Sequence, residues 1–154
     1  MKLVLPHALH TGIQRYLENA FPNEAGGFLI GRLDGENGEH PEIRVVTETR
    51  FAENIFETNE QYHRYLMEEE AFQSAEDYAD EHNLILLGHF HSHPNSPAVP
   101  SEFDRVHALP NFVYLILSVQ HGQAAESLVW LLADDRSRFD PVALEEDSMV
   151  ISGG

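Results

Sequence analysis

Three histidines stand on alternate positions in His89-Phe90-His91-Ser92-His93. The chain then runs Pro94-Asn95-Ser96-Pro97-Ala98-Val99-Pro100 into Ser101-x-x-Asp104. There is no cysteine, so a transition metal here would rely on His, Asp and Glu. If residues 84–93 are extended, the three histidines project from one face, because side chains on a strand alternate. Neighbours at i and i+2 lie about 6.6 Å apart, a gap two imidazoles can bridge onto one ion at ~2.1 Å each. His89 and His93 lie about 13 Å apart by the same rise, too far for one tetrahedral centre. One adjacent pair can therefore serve as ligands, and Asp104 decides which. Pro94, Pro97 and Pro100 restrict the loop and favour a return to the strand end, which is at His93. His91, His93 and Asp104 with an open fourth position make a zinc site of the catalytic type.

Taken alone, Ser101-Glu102-Phe103-Asp104 reads as a helix start: Ser at the N-cap and an acid at N3 satisfy orphan amides without a metal. Capping leaves the His-x-His pair upstream unexplained, and the joint pattern favours the metal reading. The elements that must carry these residues follow from periodicity. Leu3 to Leu5 reads as a short strand, and Pro6 opens a helix whose Leu9, Ile13, Tyr16, Leu17 and Ala20 recur at helical spacing until Pro22. Residues 26–31, GGFLIG, read as a strand. Asp34-Gly35 and Asn37-Gly38 read as hairpin-type turns before a second strand over 42–51. Asn59 to Glu81 is the longest helical segment, with Tyr62, Tyr65, Leu66, Phe72, Ala75 and Ala79 on one stripe and acids on the other face. Leu84 to Leu87 is an apolar strand leading into the histidines. A short helix from about Glu102, strands near 112–119 and 128–133, and a last strand before Gly153 complete a mixed α/β order, read as one domain over residues 1–154.

Bulk properties narrow the function. At 42% hydrophobic residues the 154-residue chain can bury a sizeable core. No apolar run is long enough for a membrane span or a secretory signal, which together with the missing cysteines fits a cytoplasmic protein. There are 26 acids against nine Lys and Arg, for a net charge of −17. Such a surface repels phosphate backbones, so nucleic acid is not the expected partner. Lys2 is the one lysine, and the acid excess suits either a protein kept soluble in concentrated salt or an ordinary acidic surface.

His91-Ser92-His93, seven residues, Ser101, two residues, Asp104 resembles the signature of the JAMM (MPN-plus, JAB-domain) zinc metalloproteases. Phe21-Pro22-Asn23-Glu24-Ala25-Gly26-Gly27 resembles the context of that family's catalytic Glu, and the likeness runs from about Leu3 to Ala133, as in the short prokaryotic members. One departure is Gly26, where many bacterial relatives carry Cys, and His89 falls outside the signature. The resemblance implies a curved, mostly antiparallel sheet with packed helices, similar to the cytidine-deaminase fold. It implies Zn2+ held by His91, His93 and Asp104, Glu24 as the general base and Ser101 as the oxyanion donor. It also implies hydrolysis of a peptide or isopeptide bond after the C-terminal Gly-Gly of a ubiquitin-like or sulfur-carrier protein. This chain itself ends Gly153-Gly154, which reads as a frayed terminus rather than as a mimic of such a tail. The alternatives are a non-catalytic MPN scaffold, which usually lacks the ligands, and a zinc hydrolase acting on a small molecule. Zinc deaminase chemistry lacks its Pro-Cys-x-x-Cys motif here, and two long helices fit poorly with a cupin barrel.

Overall fold

The computed structural model describes residues 1–34, 42–52 and 61–147, with side chains from residue 69 onward in the last stretch. Of the turn segment expected over 33–41, Leu33 and Asp34 still belong to a strand; its remainder, the helix start at Asn59, the stripe residues Tyr62, Tyr65 and Leu66, and Gly153-Gly154 lie outside the described residues or side chains. Among the described residues the order is β1 (Lys2–Pro6), α1 (His7–Ala20), β2 (Gly26–Asp34), β3 (Ile43–Phe51), α2 (Gln61–Glu81), β4 (Ile85–Pro94), α3 (Glu102–His107), β5 (Val113–Gln120), β6 (Gln123–Leu132) and β7 (Phe139–Asp147). No described helix is long and apolar enough to cross a membrane.

The mixed sheet curves until it closes on itself, in the order β1-β3-β2-β4-β5-β6-β7. Pairings β2–β3, β2–β4, β5–β6 and β6–β7 are antiparallel; β1–β3, β1–β7 and β4–β5 are parallel. Strand β6 begins five residues before the expected Leu128 and β7 ends at Asp147. The β5–β6 hairpin turns through His121 and Gly122, both with positive φ, the conformation a two-residue turn needs to follow the strand twist.

Periodicity explains the core. Ile13 and Leu17, one helical turn apart on α1, are fully buried and meet Leu3 and Leu5 of β1. Residues 26–31 of β2 are all buried: Leu29 enters the core on one face, Phe28 meets Phe72 of α2 on the other, and β3 and β4 pair with the two edges. Ala75 and Ala79 are the buried face of α2, and their small side chains let the helix approach the sheet closely. The parallel β4–β5 pair needs a crossover, which α3 supplies. That connection carries the chain past the C-terminal end of β4, where ligand sites of such units form. Asp104 is thereby brought over the histidines.

Candidate metal centre

His91 and His93 project from one face of β4, as period two requires, and both are buried. Their Nε2 atoms converge at 3.2 Å. His91 Nε2 lies 3.4 Å from Asp104 Oδ1, and His93 Nε2 lies 3.2 Å from Asp104 Oδ2. Ligands held at 2.0–2.1 Å in a tetrahedron are about 3.3 Å from one another. All three separations match that edge, so the donor set fits zinc. Among the described residues this is the one group of three or more such side chains whose donor atoms gather closely enough for an ion.

The supporting contacts define which nitrogen faces the ion. His93 Nδ1–H donates to the Pro97 carbonyl at 2.9 Å, which leaves Nε2 as the ligand atom. His91 Nδ1 is buried and has no hydrogen-bond partner among the described residues. The loop is held by more than its prolines: Trp130 Nε1–H donates to Ala98 O at 2.9 Å, Ser118 Oγ–H to Ser96 O at 2.6 Å, and Asn95 N–H to Val119 O at 2.7 Å.

The two readings of Ser101-x-x-Asp104 hold together. Ser101 is the N-cap of α3: its Oγ accepts from Asp104 N–H at 3.1 Å, and Asp104 Oδ2 accepts from Ser101 N–H at 2.8 Å. The same carboxylate oxygen faces His93, so a six-residue helix that is marginal by itself is tied to the centre through its cap. Arg136 Nη2 donates to the carbonyls of Arg105 and Val106 and closes the other end.

Charge follows from these contacts. Burial alone would raise the Asp104 pKa, but hydrogen bonds from His91, His93 and Ser101 N–H outweigh it and hold the carboxyl well below the usual carboxylate range. Burial disfavours the His93 cation, yet Asp104, the Pro97 carbonyl and the charge of Glu24 raise its pKa above the ordinary value. His89 is driven down to about 3 by burial and by His91, so it is neutral at physiological pH.

His91, Asp104, Glu24 and His89 all line one cavity of about 480 Å3. Glu24 therefore faces the ligands although 67 positions separate it from His91. Ser92, between the two ligands, has the part in this that sequence reasoning missed. It points to the opposite side of β4, where its Oγ accepts from Ala25 N–H at 3.1 Å and its N–H donates to Ala25 O at 3.0 Å. That pair of bonds fixes the residue after Glu24. Only its place between two ligand histidines could have signalled it. Gly26 pairs with His91, and a Cβ there would lie 2.5 Å from Phe90 O and 3.3 Å from His89 Cε1. No side chain fits without backbone movement, so glycine permits the close β2–β4 approach.

Known proteins resemble this chain in sequence and in fold. The chain is 37% identical over 100 residues to a desampylase from Haloferax volcanii, a match covering 63% of this chain and 63% of that protein. A solution structure of a protein from Salinibacter ruber superposes with a TM-score of 0.69 at 29% identity, covering 97% of this chain and 93% of that one. Another, from Desulfitobacterium hafniense, gives 0.69 at 26% over 96% and 95%. A JAB1/MPN domain protein from Archaeoglobus fulgidus shares the fold at 16% identity, with a TM-score of 0.53 over 95% of this chain and all of that one. Residues 6–132 match the family described as prokaryotic homologs of the JAB domain, and the chain belongs to that family.

Proposed function

We propose that the protein is a zinc-dependent peptidase of the JAMM type that hydrolyses the bond after the C-terminal Gly-Gly of a ubiquitin-like or sulfur-carrier protein. The observation that carries this reading is the convergence of His91, His93 and Asp104 at tetrahedral spacing, with Glu24 on the same cavity. A scaffold has no use for such a set, and the resemblance to a desampylase supports a ubiquitin-like substrate over a small molecule.

Zinc held there would supply Lewis acidity, making water a nucleophile near neutral pH and polarising the scissile carbonyl. Glu24 takes one proton from the attacking water as its oxygen bonds to the carbonyl carbon. Ser101 keeps a hydroxyl proton to donate while its oxygen accepts from Asp104 N–H, and that proton meets the developing oxyanion. Collapse breaks the C–N bond, Glu24 returns its proton to the leaving nitrogen, and the water's second proton is released as the new acid ionises, giving a carboxylate and an amine. The tail suits the site because glycine lets the backbone lie close to a narrow centre.

The test is incubation of the zinc-loaded protein with carrier–peptide adducts, read by mass analysis. A chelator should abolish cleavage and zinc restore it. Cutting directly after Gly-Gly is expected, and Val in place of the terminal Gly should abolish it. Full activity in a metal-free preparation, or cleavage of arbitrary peptides while folded carriers resist, would reject the assignment.

A further inference from the structure

Five rings lining the cavity close a circuit. Phe28 meets Phe72 at 6.4 Å between centroids, Phe72 meets Phe112 at 5.5 Å, and Phe112 meets Tyr114 at 6.4 Å. Tyr114 then meets His89 at 6.2 Å, and His89 returns to Phe28 at 5.3 Å. They come from β2, α2, the residue before β5, β5 and β4, so no local sequence pattern announces them. The collar is also braced. Tyr114 Oη accepts from Leu109 N–H at 2.6 Å, and Phe139 packs edge-on against its ring at 5.9 Å.

We propose that this aromatic collar is a leaving-side pocket that selects a bulky apolar side chain on the residue immediately following the scissile bond. The inference rests on the peptidase reading above and names what that reading leaves open. The two glycines that must lie against the centre have no side chain to fill a space of about 480 Å3, so the collar beside it is surplus to them. Glu24, which returns the proton to the leaving nitrogen, lines the cavity with His91 and Asp104, whereas Ser101 does not. The collar therefore lies toward the released residue.

The walls decide what enters. Phenyl and imidazole edges favour an aromatic or branched aliphatic side chain, which gains edge-to-face contact and sheds water. Glu24 and Glu69 also line the cavity beside the metal centre, and their like charge repels an acidic side chain. A lysine would be attracted by those acids, but it must give up hydration among the rings. Its place in the ranking separates a collar for apolar groups from a cation cage.

The experiment uses the zinc-loaded protein and four carrier adducts that end Gly-Gly-X and differ only at X: Phe, Ala, Lys and Asp. We expect kcat/KM for Phe to exceed that for Ala by about tenfold or more, with Asp below Ala. Phe72→Ala and Phe112→Ala, each checked for retained zinc, should move the Phe-to-Ala ratio toward one. Equal turnover of Phe and Ala, Lys ahead of Phe, or an unchanged ratio in both variants overturns the collar assignment while leaving the peptidase reading in place. Cleavage of none of the four overturns the peptidase reading, and the collar with it.

Discussion

Among the described residues two clusters each join two histidines and a carboxylate, and they behave differently. In the centre, His91, His93 and Asp104 aim their donor atoms at a common point, with separations of 3.2 to 3.4 Å. In the second cluster His7 and His10, on the first turn of α1, flank Glu146 of β7. His7 Nδ1 takes one carboxylate oxygen, and His10 Nδ1 lies 3.3 Å from the other. His10 Nε2 is engaged by Ser127 Oγ at 2.9 Å. The carboxylate separates the imidazoles instead of joining them at an ion. Residue types are equal; convergence is not. A strand presents side chains at i and i+2 in parallel, while the second cluster uses its histidines to dock a helix on the barrel.

Removing a convergent donor should have the largest effect. His91→Ala, His93→Ala and Asp104→Ala should each reduce zinc from about one per chain to a trace by elemental analysis, since a third protein ligand is lost. His10→Ala and His89→Ala should keep it. Zinc loss in His89→Ala would shift the ligand register by two residues, and zinc loss in His10→Ala would make the second cluster a metal site.

Glu24→Gln comes next. It should keep zinc and fold but lower turnover by about 10²–10⁴-fold, because the amide cannot accept the water's proton. Zinc loss in that variant would turn Glu24 into a ligand, and near-normal turnover would remove it from the mechanism.

Acid should separate the clusters by pH. Zinc needs a neutral imidazole, and the His93 pKa is raised above its ordinary 6.5. Zinc affinity should therefore begin to fall as pH drops through that range. Glu146 is depressed below 4.5 by its bond with His7 and, after the opposing effect of burial, by His10. Its contribution to stability is present above about 4.5 and lost as pH falls through the lower folded value. Its side chain is 40% exposed, so solvent screening keeps that loss small. Zinc retention of the loaded protein and the melting temperature of the zinc-free protein, recorded across the same pH series, should change at different places; a shared midpoint would deny the distinction.

The smallest effect on the centre belongs to Ser127→Ala. It leaves the His10 Nε2 group buried without its partner and should cost about 1–3 kcal/mol, read from denaturant unfolding, with zinc content unchanged. A drop in zinc content would mean that the α1 docking cluster and the centre are coupled.

Much of the centre was legible because its ligands lie within one short stretch, where strand alternation and a capping pattern are local rules. The strand 84–93, the helix from Glu102 and the apolar stripe Ile13–Leu17 follow from the same periodicities. What escaped were contacts between distant residues. Ser92 with Ala25 spans 67 positions, Trp130 with Ala98 spans 32, and His10 with Ser127 spans 117. The closure of the sheet by the parallel β1–β7 pairing escaped too. None of these has a local signal, because each depends on where the barrel brings its strands. The approach of Glu24 to the ligands came from family resemblance for the same reason.

Trp130 is the single tryptophan of the chain, and its indole N–H is bonded to the loop that leads from His93 to Asp104. Emission excited at the red edge, where the five tyrosines do not absorb, therefore reports from beside that loop, without a label or a second indole to subtract. Titrating zinc into the stripped protein while following that emission would time the loop's response against metal uptake. The protein has its own optical gauge beside the place where a carboxylate must arrive.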